Sequence, residues 1–140
     1  MIMLFSNFTE RARIAISEAH DTACALGHRY IGSEHLVAGL MKEGSGVAAK
    51  VLENAGITAD QVVDKIAELT GSNEPLSEES ELPLTPRTKR ILQLAAMEAR
   101  QMGHNYIGTE HILIAVLRDS DSVGVRVLLS LGLNLQHVYE

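Results

Sequence analysis

The apolar positions of this chain recur at helical spacing. Ala15, Ala19, Ala23 and Leu26 follow one another at intervals of four, four and three, which places them on one face of a helix. Thr9 is a suitable N-cap for that helix, and Glu10 puts a carboxylate in its first turn, where the helix dipole favours an anion. Gly27 supplies a left-handed terminator. After a short segment containing Tyr30-Ile31-Gly32, the pattern predicts a second helix, capped by Ser33 and running to about Lys42. A third covers roughly Gly46 to Asn54 and is stopped by Gly56; a fourth opens with a Thr58/Gln61 capping box and reaches about Thr70. No segment shows sustained strand alternation or a hairpin dipeptide between β-branched runs, so the predicted fold class is all-α.

The layout is then written a second time. Residues 27–35 read Gly-His-Arg-Tyr-Ile-Gly-Ser-Glu-His and residues 103–111 read Gly-His-Asn-Tyr-Ile-Gly-Thr-Glu-His, seven of nine identical at an offset of 76. At that offset Thr9-Glu10-Arg11 matches Thr85-Pro86-Arg87, and Ala15, Ala19, Ala23 and Leu26 match Ile91, Ala95, Ala99 and Met102. Val47, Val51, Leu52, Gly56 and Val62 match Val123, Val127, Leu128, Gly132 and Val138, so the register holds from Thr9 to about Val138 without an insertion. Thr85-Pro86 reads as an N-cap followed by proline at the first helical position. Gly103 repeats the terminator, Thr109 stands in for Ser33 as a cap, and Asn134 caps a last helix cut short at Glu140. The unit is longer than a solenoid repeat and occurs only twice. The organisation is therefore a two-lobed domain of two four-helix repeats, residues 1–70 and 85–140, compact together across a 71–84 linker. That linker holds four glutamates, two prolines and no basic residue; it reads as an exposed, mobile, passive strap, with Leu82 and Leu84 tucked onto the body.

Composition narrows the picture. In 140 residues, 46% are hydrophobic but only five are aromatic, so the core must be aliphatic and Ala-rich. No apolar run approaches the ~20 residues that span a bilayer, and no basic-then-apolar leader opens the chain. The single cysteine, Cys24, suits a reducing compartment, and the expectation is a soluble cytoplasmic protein without a membrane partner. Net charge is −6, with one local basic cluster at Arg87, Lys89 and Arg90, which argues against nucleic-acid binding.

An enzyme seldom duplicates its catalytic residues at matching depths, so the repeat points to two equivalent binding surfaces. Much of the repeated block reads as scaffold. Gly32 and Gly108 permit a turn, Ile31 and Ile107 fill the core, Tyr30 and Tyr106 bury a ring, and His28 and His104 bond loop carbonyls. Glu34 and Glu110 have two readings: first-turn residues favoured by the helix dipole, or acceptors for a bidentate guanidinium. His35 and His111 follow these glutamates, but each helix carries one histidine, unlike the two-histidine zinc motif. Metal ligands and catalytic residues are therefore expected to be absent, and a metal-dependent helical enzyme using the repeated His/Glu positions is the contrasting class. Cys24 has Arg100 as its counterpart, and neither a Gly-X-Ser-X-Gly elbow nor a phosphate loop occurs, so the chain is no ATPase by itself.

The paired Gly-His-X-Tyr-Ile-Gly-[Ser/Thr]-Glu-His blocks, each preceded by Thr-X-Arg and followed by a Val-rich helix, resemble the N-terminal repeat domain of Clp-family AAA+ unfoldases, most closely the ClpC type. The resemblance implies an all-α, non-catalytic domain of two pseudo-two-fold-related four-helix repeats that sits on an ATPase ring and receives substrates, or adaptors of the MecA type, for delivery to a ClpP-type protease. It also implies a receptor for phosphorylated arginine. The family's guanidinium-binding glutamates match Glu34 and Glu110, and Thr9 and Thr85 best match the phosphate side. A phosphoarginine side chain is a planar fork ending in an anion. The fork suits a carboxylate, and the phosphate suits a helix N-terminus with its hydroxyl. Arg11 and Arg87 would add positive field. The expectation is one pocket per repeat: Thr9, Arg11 and Glu34 in the first, Thr85, Arg87 and Glu110 in the second. No cofactor is expected in this chain; ATP would be used by ATPase modules it lacks, so it is an excised domain or a stand-alone paralogue. The alternative is adaptor docking without phosphoarginine recognition. Two departures from the family stand out. Ser33 replaces the usual Thr, and the second repeat has Arg118-Asp119-Ser120-Asp121-Ser122 where the first has the more family-like Lys42-Glu43-Gly44-Ser45-Gly46.

Overall fold

The computed structural model describes residues 7–135, which contain seven helices. In the first repeat these are α1 (Glu10–Ala25), α2 (Ser33–Glu43), α3 (Val47–Asn54) and α4 (Ala59–Thr70). The second repeat contributes α5 (Pro86–Gln101), α6 (Thr109–Arg118) and α7 (Val123–Ser130). The helix expected from Asn134 onward, with the Val62/Val138 match, falls largely outside the described residues. The chain is all-α, and the capping signals work locally as anticipated. Thr9 accepts the Ala12 N–H at 3.1 Å, Thr85 accepts the Thr88 N–H at 3.0 Å, and Thr58 and Gln61 cap each other's backbone. Gly27 and Gly103 end α1 and α5 at φ 70° and 77°, a region only glycine enters cheaply.

One cap differs from expectation. Gly32 and Gly108, rather than Ser33 and Thr109, are the N-caps of α2 and α6. The histidine at the third helical position reaches back instead: Nδ1 of His35 accepts the Gly32 N–H at 2.9 Å, and His111 does the same for Gly108 at 2.9 Å. This frees the Ser33 and Thr109 hydroxyls for the opposite repeat. Ser33 Oγ accepts the Gly124 N–H at 2.9 Å at the start of α7, and Thr109 Oγ1 accepts the Ala48 N–H at 3.3 Å at the start of α3.

The central helices α2 and α6 carry the core. All residues from Ser33 to Met41 are buried, as are His111–Leu113 and Ala115–Leu117. The small stripe Ala12, Ala15, Ala19 and Ala23 lets α1 lie close on α2, where Gly39 faces the Ala15 carbonyl. The corresponding positions of the second repeat are Ile91 and Ala115. The repeats join by two single-residue parallel bridges, Phe8 with Ile107 and Ile31 with Leu84. In the first, Thr9 N–H donates to Ile107 O and Ile107 N–H to Asn7 O, both at 2.9 Å; in the second, Ile31 N–H donates to Pro83 O at 2.9 Å and Thr85 N–H to Ile31 O at 3.1 Å. Each pre-helix segment thus pairs with the glutamate-bearing loop of the other repeat.

The 71–84 strap is mostly exposed, as its composition implies, but it is anchored. Asn73 and Leu76 donate to Leu26 O and Cys24 O, the Ser80 carbonyl meets His20 Nε2 at 2.6 Å, and Leu82 and Leu84 pack on the core. Each histidine pair forms a directed relay. With His35 Nδ1 accepting, its Nε2–H donates to His28 Nδ1 at 2.8 Å, and His28 Nε2–H donates to Gly71 O at 2.9 Å. His111 and His104 meet in the same way at 2.9 Å.

Two consequences are measurable. A Cβ at Gly39 would overlap the Ala15 carbonyl oxygen and stand 2.8 Å from Ala19 N, so Gly39→Ala should cost about 1–3 kcal/mol in urea unfolding; an unchanged midpoint would contradict the close crossing. Burial, reinforced by His28, lowers the His35 pKa from 6.5 to about 3, and burial also lowers that of His111. The native state then refuses protons that the unfolded chain accepts below pH 6.5. Stability is full above that pH; the His35 contribution declines toward pH 3 by about 1.4 kcal/mol per pH unit, and His111 acts in the same direction. His35→Gln, whose amide oxygen can still accept the Gly32 N–H, should flatten this slope in urea midpoints taken between pH 7 and 5.

Candidate functional site

The cross-repeat bridges decide which functional side chains meet. Thr9, seated beside Ile107, opens α1 next to the Gly108–Glu110 turn, and a cleft of about 360 Å³ is lined there by Thr9, Glu10, Arg11, Gly46, Val47, Tyr106, Gly108, Thr109 and Glu110. Three helix N-termini converge on it, those of α1, α3 and α6. Their first-turn N–H groups lack intrahelical partners, and their dipoles sum to a positive field. Two carboxylates line it, exposed Glu10 in the first turn of α1 and half-buried Glu110 in the first turn of α6, and either can accept from a cation.

The expected pairing within each repeat is therefore corrected. Thr9 and Arg11 share a cleft with Glu110 of the second repeat, not with Glu34. By the same exchange, Thr85 is bonded to Ile31 in the loop that carries Glu34, not to the loop of Glu110. Arg87 lines a separate cleft of about 280 Å³ with Arg90, Ile91, Leu94, Arg118 and Asp119. The physical reason is the parallel pairing of each pre-helix segment with the opposite loop, which a fixed repeat offset does not reveal. Gly46, Val47, Tyr106, Gly108 and Thr109 were missing from the sequence-derived site. A signal existed for Gly108, which sits two residues before Glu110 as Gly32 does before Glu34.

Gly32 and Gly108 serve a purpose beyond a turn. Their φ values, −100° and −98°, are open to any residue, but a Cβ would collide with the carboxylate of Glu34 or Glu110. The missing side chain lets each glutamate fold back over its own N-cap.

The two glutamates differ in setting. Glu34 is 4% exposed. Desolvation pushes its pKa up, against the opposing pull of its own backbone N–H, nearby His28 and the Tyr30 hydroxyl that donates to it. Burial, with Glu34 next to it, likewise raises the Tyr30 pKa. A carboxyl with a raised folded-state pKa adds stability below its unfolded pKa and loses it as pH rises through the folded value. At pH 7 the Glu34 carboxyl is thus a cost, and Glu34→Gln should raise the Tm at pH 7 and bring little gain at pH 4. A lower Tm at pH 7 would remove the strain assigned to the carboxylate.

Comparison with known proteins agrees with this architecture. The family model described as Clp repeat (R) N-terminal domain matches residues 7–131. The ATP-dependent Clp protease ATP-binding subunit ClpC of Staphylococcus aureus is 44% identical over 133 residues. The negative regulator of genetic competence ClpC/MecB of Bacillus subtilis is 41% identical over 133 residues. These alignments take in 95% of this chain, which spans only 16% of the length of either relative. Among solved structures, the N-terminal domain of the ClpD chaperone from Arabidopsis thaliana superposes with a TM-score of 0.83 at 30% identity, covering 96% of this chain and 93% of that one. A ClpV N-domain in complex with a VipB peptide shares the fold at TM-score 0.74 and 22% identity, covering 98% and 85%. On the match over residues 7–131, the chain belongs to the Clp repeat N-terminal domain family.

Proposed function

We propose that this domain receives substrate and adaptor proteins for a Clp-type ATP-dependent unfoldase in the cytoplasm, and that it recognises arginine-phosphorylated side chains at the composite sites built around Glu110 and Glu34. The observation that carries this reading is the cleft in which three helix N-termini and Arg11 meet the half-buried carboxylate of Glu110, with exposed Glu10 beside them. That distribution matches a ligand with an anionic end and a cationic planar neck. The phosphoryl group would take first-turn N–H groups, with the Thr9 hydroxyl donating, because Thr9 Oγ1 already accepts from Ala12 and keeps its proton free. The guanidinium fork would lie on Glu110, a charge-assisted contact worth roughly 1.5–3 kcal/mol.

Relatives support the coarser part of the proposal. ClpC is named as the ATP-binding subunit of a Clp protease, and the ClpV N-domain of this fold holds a peptide. Adaptors of the MecA type and a ClpP-type protease are the partners proposed for the parent assembly. ATP would be used by modules outside this chain, and no catalytic or metal-binding role is proposed for these residues.

Calorimetric titration with free phosphoarginine tests the finer part. Binding should exceed that of arginine or phosphoserine, and Glu110→Gln should weaken it roughly tenfold to a hundredfold. Undiminished binding by a Glu34→Ala/Glu110→Ala double variant would take both glutamates out of the mechanism. Absence of any phosphoarginine response, with adaptor binding intact, would select adaptor docking alone.

A further inference from the structure

We infer that the two pseudo-symmetric sites are not equivalent: the Glu110 cleft is the receptive one, and the Glu34 site is held shut by its own side chains. The inference rests on the phosphoarginine reading for its ligand, but its grounds are differences between positions that the repeat offset makes counterparts.

The first difference is at the arginines. Arg11 is exposed and makes no ion pair among the described residues, because its neighbour Glu43 turns inward to its own loop. There the Glu43 carboxylate accepts the Gly46 N–H at 2.6 Å, the Ser45 N–H at 3.1 Å and the Ser45 hydroxyl. The counterpart of Glu43 is Asp119, one methylene shorter, and it holds Arg87 Nη1 at 2.9 Å instead. Arg87 is thereby drawn toward the Arg90–Asp119 cleft.

The second is at the helix that faces each glutamate. α3 begins at Gly46, which has no side chain to cap it; Thr109 Oγ1 takes the Ala48 N–H across the repeat, but the Ala49 N–H receives no cap from Gly46 and is left for an outside anion. α7 begins at Ser122, a buried residue whose Oγ accepts the Val125 N–H at 3.2 Å and satisfies that terminus internally. The exchange is matched across the repeat. A Cβ at Gly46 would stand 2.5 Å from Thr109 Oγ1 and 3.0 Å from its methyl carbon, whereas Ser122 faces a repeat that carries the smaller Ser33. The departure of Ser33 from threonine thus makes room for the cap that closes the second site.

The third is at the acceptors. Glu34 is buried with Tyr30 beside it, while Glu110 is half-buried in an open cleft with Tyr106 on its rim. A ligand at Glu34 must displace Tyr30 and compete with Asp119 for Arg87; at Glu110 neither contact has to be broken.

NMR titration of this domain with phosphoarginine should give one saturating set of shifts, at Thr9, Arg11, Val47 and Glu110, with a stoichiometry of one and at least tenfold weaker changes around Thr85 and Glu34. Asp119→Glu combined with Ser122→Gly, which installs the first-repeat residues, should raise the stoichiometry to two. Asp119→Glu alone, which keeps the Ser122 cap, should already free Arg87 and strengthen the second set of shifts. Two sites of equal affinity in the unaltered chain would overturn the inference. If phosphoarginine fails to bind anywhere, the ligand reading falls, and the inequivalence is decided by guanidinium NMR. Rotation about Cζ–Nε should be slower for Arg87 than for Arg11, and equal rates would overturn it.

Discussion

Two backbone pairings of one residue each, Phe8 with Ile107 and Ile31 with Leu84, fix how this domain is put together. They contribute few hydrogen bonds, yet they cross the boundary between repeats and place the N-terminus of α1 or α5 against the loop of the opposite glutamate. The Ser33 and Thr109 hydroxyls reinforce the same exchange by capping α7 and α3 of the other half. Each repeat therefore relies on the other for part of the capping of α3 or α7. What stands at each site is a composite of both halves, and the linker of 71–84 serves as their tether and not as a boundary between independent bodies.

Most of the fold was legible in the sequence because helices announce themselves locally. Thr9, Thr58 and Thr85 cap as their positions suggest, and Gly27 and Gly103 stop helices where a left-handed residue is required. The partnership of Thr9 with Glu110 was not legible, for a reason of symmetry. An internal repeat shows that Thr9 is to Glu34 as Thr85 is to Glu110, but a two-fold arrangement pairing within halves and one pairing across them carry the same offset. A bridge one residue long leaves no alternating pattern to separate them. Ser33 and Thr109 were misread as N-caps for a related reason: the residue that reaches back to the cap is a histidine, where glutamate or glutamine is the usual signal.

The repeated block Gly-His-X-Tyr-Ile-Gly-[Ser/Thr]-Glu-His now divides by task. The histidines form directed relays that hold the loop, with both nitrogens of His35 and His111 already bonded. The glycines clear the space into which the carboxylates fold. Glu34 retains an ionisable group in a setting that opposes its charge, which a purely structural helix start would not require. Buried groups held against their ordinary ionisation are a frequent mark of binding sites, because the stability they forgo is available to a ligand.

In symmetry terms the domain is an isologous dimer written on one chain. The two backbone bridges are partner contacts under the pseudo-two-fold relation, and so are the two hydroxyl caps, as in a pair of identical subunits. A homodimer must change both of its sites whenever it changes one, since both are encoded by the same codons. Joining the halves through the strap removes that obligation. Asp119 and Ser122 occupy one side while Glu43 and Gly46 keep the other, so the covalent link gives each site a separate sequence history.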